Sequence, residues 1–139
     1  MVDEILVELE NTPGSLIRAT QALEDEGVDI RGLNVSQGSG LSQVRMVVDK
    51  TDQALQILQG QGLEAQLTKA IGIWVEDEPG SLNPLLEAFA EAQENIQFIY
   101  PFFKKGGGNI GVVINADDID SAKQVLQGKG ISIIADGDI

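Results

Sequence analysis

The chain has 139 residues, 42% of them hydrophobic and 22% charged, and a net charge of −13. Its composition is that of a globular protein. No apolar run approaches the roughly 18 residues of a membrane span, and the acidic start MVDEILVELE is unlike a signal peptide, so a cytoplasmic protein away from membranes is expected. The acids are spread evenly, 11 against 5 bases over residues 1–70 and 11 against 4 over 71–139. Such a surface repels phosphate backbones and argues against nucleic-acid partners. There is no histidine and no cysteine. This excludes thiolate chemistry, Ser-His-Asp and Cys-His catalysis, and zinc sites of the usual nitrogen and sulfur ligands. No spacing nominates a carboxylate pair or a lysine instead, so neither enzymatic activity nor a cofactor is expected.

In chain order, DEILVELE alternates, with Ile5, Val7 and Leu9 on one side and Glu4, Glu8 and Glu10 on the other, as in a half-buried strand. NTPG follows, in which Thr12 suits a helix N-cap and Pro13 the first helical position. Leu16, Ala19, Thr20 and Leu23 then recur at helical spacing, and Gly27 offers a left-handed stop. VDIRGLNVS and LSQVRMVVD read as two strands joined by the turn QGSG. Asp52 can cap a short helix through Leu58, and Leu63 to Leu67 forms a fourth strand. The order is β-α-β-β-α-β.

The same order then repeats. ENTPGSLIRA, from Glu10, returns as EDEPGSLNPL, from Glu76, with Pro13 and Pro79 66 residues apart. Repetition at fixed spacing implies two copies of one unit, here a module at 1–69 and a second at 70–139. AIGIWVED is the second module's first strand, and Leu82, Leu85, Leu86 and Phe89 give its first helical stripe. ENIQFIYPFF and NIGVVINA are the hairpin strands, DDIDSAKQVLQ the second helix, and GKGISIIA the last strand. At the position of Gly27 stands Gln93, so that helix needs a different stop. The expected fold is α+β: two ferredoxin-like βαββαβ modules, their antiparallel sheets side by side with the helices on one face. Modules this small bury only about 60% of their unfolded surface, so they are expected to pack together. In each, the second strand is an edge. Ile96, Phe98, Tyr100 and Phe102 share one face of such a strand, which also holds Pro101, a residue that sheet edges tolerate. That aromatic edge is expected to dock against the other repeat or another chain.

Three motifs are better read as structure than as sites. NADDIDSAK lacks the glycine and distant glutamate of a calcium loop and reads as a helix capped by Asp117 or Asp118. KKGGGN lacks the strand and helix of a phosphate-binding loop and reads as a hairpin turn. The aromatics of FIYPFF could suggest base stacking, but the acidic surface favours core and interface packing.

The Pro-Gly corner is different. Unpaired N–H groups at a helix start make a ready anion site, and glycine lets a ligand approach the backbone. Gly14, Ser15 and Leu16, like Gly80, Ser81 and Leu82, are placed to present such donors to a carboxylate, the alternative being that Pro-Gly only starts the helix. Strand, then NTPGSL or DEPGSL, then helix, then GVDI or ENI opening the next strand resembles the ACT domain, a small-molecule-binding regulatory module. The resemblance covers the whole chain as two tandem repeats. It implies a free amino acid bound between modules, held by the strand-helix loop of one and the second strand of its neighbour. The loop position falls on Asn11 and Asp77, the second-strand position on Asn95 and Asp29, with Thr12 and Tyr100 beside them. Asn11 facing Asn95 would bracket a zwitterion. Asp77 facing Asp29, beside Glu76 and Glu78, would repel a carboxylate. Leu9 stands where serine-sensing relatives carry histidine, which argues against serine. The expected function is a non-enzymatic amino-acid sensor, a homodimer, acting on a metabolic enzyme partner. The alternatives are a regulatory interaction subunit of an amino-acid biosynthetic enzyme and a structural dimerisation module without ligand.

Overall fold

Alternating apolar and acidic residues become strand β1 (Val2–Glu10), and the helical stripe after the first corner becomes α1 (Ser15–Asp25). The hairpin β2 (Ile30–Gln37) and β3 (Leu41–Val48) follows, then α2 (Thr51–Gly60) and β4 (Glu64–Val75). The second copy adds α3 (Asn83–Glu91), β5 (Ile96–Phe103), β6 (Ile110–Ala116) and α4 (Ile119–Gly128). This computed structural model describes all residues, Met1–Ile139. Contacts divide the chain into two compact units, Asp3–Thr68, and Lys69–Ile139 with Met1–Val2.

In the first unit the strand order is β2-β3-β1-β4, all neighbours along β1, β2 and β3 antiparallel. Because side chains alternate along a strand, Ile5, Val7 and Leu9 share a face with Val44, Met46 and Val48, and there they meet Ala19, Leu23, Ala54 and Leu58 of the two helices. The other face holds Glu4, 1% exposed. Its carboxylate accepts hydrogen bonds from Arg45 Nη1 at 3.0 Å and Thr68 Oγ1 at 3.0 Å. The edge strand β2 carries a bulge at Arg31, between Ile30 and Gly32.

In the second unit β4 pairs with β6 and β6 with β5, both antiparallel. Ile71, Ile73, Val112 and Ile114 form the sheet side of its core, and Leu85, Ala88, Phe89, Ala122 and Leu126 the helix side. The helical stripe is therefore narrower than expected, with Leu82 and Leu86 exposed. The edge β5 repeats the bulge, at Gln97 between Ile96 and Phe98. Phe102 is fully buried, its ring centroid 5.2 Å from that of Trp74. It lies over Gly111, where a Cβ would come within 2.1 to 2.6 Å of three ring carbons. Glycine at 111 is thus what lets the ring lie flat on the sheet.

Four local expectations are corrected. Thr12 is not the N-cap: Pro13 and Gly14 form a turn closed by Ser15 N–H donating to Thr12 O (3.2 Å), Gly14 has φ 86°, and the helix starts only at Ser15. Asp52 is not a cap either, since the chain turns at Lys50 and Asp52 sits within the first helical turn. The strand at Leu63–Leu67 and the strand AIGIWVED are one continuous 12-residue β4. GKGISIIA is extended but not a regular strand, because it makes a single rung to β4, Ile134 N–H to Gly72 O at 2.8 Å. Val2 and Ile134 occupy the space over Gly72 that a side chain there would need.

The fifth correction concerns how helices stop. α1, α2 and α4 end at Gly27, Gly62 and Gly130, with φ of 72°, 78° and 73°. In each the next N–H reaches back to close the last turn: Val28 to Leu23 O at 3.0 Å, Leu63 to Leu58 O at 3.2 Å, Ile131 to Leu126 O at 3.0 Å. α3 uses the same device without glycine. Gln93 has φ 56°, and Glu94 N–H reaches Phe89 O at 3.0 Å. The motif's backbone bonds outweigh the strain of a side chain in the left-handed region. Asp118 caps α4 as expected, accepting from Ser121 N–H at 3.1 Å.

Gln93→Gly should therefore raise stability by about 1 kcal/mol, read as a shifted urea midpoint at unchanged slope. Gly111→Ala should lower it by about 1–3 kcal/mol or more through collision with Phe102. Arg45→Met should cost about 3–5 kcal/mol by leaving buried Glu4 without its cation, and adding Glu4→Leu should recover most of that loss.

Candidate functional site

Both Pro-Gly corners are built alike. After β1, Thr12 N–H donates to Glu10 O (2.9 Å) and Ser15 N–H to Thr12 O (3.2 Å); after β4, Glu78 N–H donates to Glu76 O (3.0 Å) and Ser81 N–H to Glu78 O (3.3 Å). Each turn is completed by a left-handed glycine, Gly14 at φ 86° and Gly80 at φ 82°. Proline holds the first turn residue near φ −65° and glycine takes the positive φ that follows, which is why the pair recurs. Neither α1 nor α3 has a side-chain cap on its first turn. Uncapped N–H groups at a helix start attract anions.

The side chains set the corners apart. At the first, the hydroxyls of Thr12 and Ser15 bond each other at 2.7 Å, and Arg18 Nη2 donates to Ser15 Oγ at 3.3 Å. Asn11 Oδ1 accepts from Ser42 Oγ at 3.4 Å. Asn11, Thr12, Ser15 and Leu16 line one hollow of about 140 Å³ with Val35 and Val44. At the second corner, Ser81 Oγ instead donates to Glu76 O at 2.7 Å. Asp77, Gly80, Ser81 and Leu82 line a larger hollow of about 420 Å³, closed by Pro101, Ile110 and Val112 of β5 and β6. Glu76 and Glu78 join Asp77 around it, with no base in the lining. The first corner is near neutral and tight, the second wide and acidic.

The expected second-strand residues stand elsewhere. Asp29 exchanges bonds with Asp49, its N–H donating to Asp49 Oδ1 at 2.9 Å and its carbonyl accepting from Asp49 N–H at 3.1 Å. Asn95 holds the matching place: its carbonyl accepts from Asp117 N–H at 3.3 Å and its Nδ2 donates to Asp117 Oδ2 at 3.3 Å. Within each unit these residues lie at the opposite end of the sheet from the corner. Asn95 precedes the pairing of Ile96 with Ala116, whereas the Asp77 corner follows that of Val75 with Ile110. A single unit therefore cannot bring its own corner and second-strand residue onto one ligand. Tyr100 is buried on β5, its ring 6.1 Å from that of Phe98.

Sequence reasoning missed two cations. Arg31 donates from Nε to Asp29 Oδ2 at 2.9 Å, so Asp29 is not an isolated negative charge, and Arg31 Nη1 is buried without a hydrogen-bond partner. Arg18, one turn beyond Gly14, is the base of the first corner, and its counterpart in the repeat is Pro84. Its spacing in the first turn of the helix was a readable signal. That of Arg31 was not, because its burial follows from the bulge.

The sequence matches the ACT domain pair family model over residues 1–139, and the chain belongs to that family. A solved structure of a protein from Bacteroides thetaiotaomicron matches with a TM-score of 0.84 at 24% identity, covering 99% of this chain and 94% of that one. The regulatory subunit of aspartate kinase from Thermus thermophilus, in its ligand-free form, matches with a TM-score of 0.61 at 21% identity over 91% of each chain. The corresponding Thermus flavus subunit gives 0.53 at 20% identity over 94% of each chain. The two Thermus neighbours are regulatory subunits by name, and the fold shared with all three is the two ferredoxin-like modules described above. Comparison with curated protein sequences finds no match. No helix is long and apolar enough to cross a membrane.

Ser81→Ala should cost about 1 kcal/mol by removing the bond that ties the second corner to Glu76 O, measured by urea unfolding. Ser15→Ala should cost a similar amount and free Thr12 and Arg18.

Proposed function

We propose that the protein is a non-enzymatic sensor of a free amino acid, with the ligand's carboxylate on the backbone donors of a Pro-Gly corner. The observation that carries this reading is the turn closed by a left-handed glycine before a helix without a side-chain cap, made twice with the same turn bonds. Of the two corners, the first is the better zwitterion site. Asn11 supplies a neutral polar side chain there, and Arg18 adds the only positive charge at either corner. Asn95, from a module other than the corner's own, completes it by bracketing the ammonium. At the second corner three carboxylates, Glu76, Asp77 and Glu78, oppose the ligand's own. The residues assigned to binding are thus Asn11, Thr12, Gly14, Ser15, Leu16, Asn95 and Tyr100, with Asp29, Asp77, Gly80, Ser81 and Leu82 forming the weaker counterpart.

The likeness to aspartate kinase regulatory subunits supports a second element of the same reading, that a homodimer passes the signal to a separate catalytic chain. Sedimentation equilibrium with and without the amino acid tests the dimer.

A bound amino acid should raise stability by RT ln(1 + [L]/Kd), about 2.7 kcal/mol at a hundredfold excess. A thermal-shift screen of the twenty amino acids at millimolar concentration should find at least one that does so, and a flat screen overturns the sensor reading. Asn11→Ala should weaken that ligand by about 0.5–1.5 kcal/mol, or about 3 if the bond is to its charged group. Gly14→Asn tolerates the left-handed backbone yet covers the donors, so it should abolish binding in a folded protein. Asp77→Asn should leave binding intact or add a second site. Unchanged affinity in Gly14→Asn places the ligand elsewhere.

A further inference from the structure

The second unit leaves an apolar groove between α3 and the edge strand β5. Pairing with Ile114, Val112 and Ile110 puts Ile99, Pro101 and Phe103 on the helix-facing side of β5. The helix does not cover them: Phe103 is 67% exposed and Ile99 39%. Glu91 of α3 pairs with Lys129, just after α4, so that flank of α3 faces α4. Leu82 and Leu86 stand on the opposite flank, toward β5, and both are exposed. The hollow of about 420 Å³ at the second corner, lined by Leu82 and Pro101, opens one end of the groove, and Glu76, Asp77 and Glu78 border it without a base. Lys104 is turned away, its Nζ 5.4 Å from the centre of the Trp74 ring on the other face of the sheet. The first unit lacks this combination. Thr20, Gln37, Asn11 and Thr12 stand there at the positions of Leu86, Phe103, Asp77 and Glu78. Its edge also exposes Leu33 and Val35, but Glu10 is the one acid lining its hollow.

We infer that this groove docks a basic amphipathic helix of another protein. The helix covers Phe103, Leu86 and Ile99 with its apolar face, and its lysines or arginines meet Glu76, Asp77 and Glu78. An added strand fits less well. Edge strands hold proline with its nitrogen facing outward, so the free edge of β5 lacks a donor at Pro101 and is a poor template for pairing. A second copy of this chain is also a poor occupant. With 22 acids against 9 bases, it would set acid against acid. The acidic end of the groove lies at the opposite end of the sheet from Asn95. Only the identity of the partner as the regulated catalytic chain rests on the sensor reading above; the docking surface does not.

Titration calorimetry of the full chain with three synthetic peptides tests the assignment. The first has leucine at helical i, i+3, i+4 and i+7 positions and lysine elsewhere. The second replaces its lysines by glutamate, and the third its leucines by serine. The leucine-lysine peptide should bind, and each of the others should bind at least about tenfold more weakly. Phe103→Gln, which installs the first unit's residue at an exposed position, should weaken that peptide by about tenfold or more. Glu76→Gln combined with Glu78→Thr should do the same, whereas Leu33→Thr on the first unit's edge should change nothing. Sedimentation equilibrium of Phe103→Gln should match the parent. No heat with the leucine-lysine peptide, equal binding in Phe103→Gln, or loss of self-association in Phe103→Gln each overturns the assignment, the last by giving the groove to a second copy. The peptide titrations contain no amino acid. A flat amino-acid screen with intact peptide binding therefore sinks the sensor reading alone, and an amino-acid thermal shift without peptide binding sinks the groove alone.

Discussion

The structure depends on where the backbone can take a positive φ. Each unit must carry the chain from a strand into a helix and back to the sheet within a few residues, and all these reversals use one left-handed residue except the entries to α2 and α4, at Lys50 and Asp118. Gly14 and Gly80 turn the chain into the helices that follow the corners, and Gly27, Gly62, Gln93 and Gly130 turn it out of all four helices. Only with these reversals in register do the apolar faces of strand and helix meet. The hydrophobic pattern supplies the driving force for burial, but the left-handed residues decide which surfaces are brought together.

The same constraint produces the candidate site. α1 begins directly after its left-handed glycine and α3 a few residues after its own, and neither carries a side-chain cap on its first turn. Both corners share one backbone turn. They differ only in the side chains that surround it, and those have diverged. The first corner keeps Asn11 and gains Arg18, and the second gathers Glu76, Asp77 and Glu78 and replaces the arginine with Pro84. Two backbones of one design thus present one nearly neutral corner and one acidic corner.

Much of this was legible in the sequence. The repeat of PGSL, the alternation of Ile5, Val7 and Leu9, and the periods of both helices determined the order of elements, the edge position of the second strand and the helix-facing side of each sheet. They are local properties, set by side-chain periods and by the φ preferences of proline and glycine. The two corners were legible for the same reason. What only the tertiary structure decided depends on contacts between distant residues. Gln93 is driven into the left-handed region because Glu94 must reach back to Phe89. Phe102 is buried because Gly111 leaves space for its ring. Leu63–Leu67 and AIGIWVED fuse into one strand, while GKGISIIA, with one rung to Gly72, falls short of being one. Glu4 is buried because Arg45 and Thr68, on other strands, reach its carboxylate, and no linear pattern encodes the distance between elements.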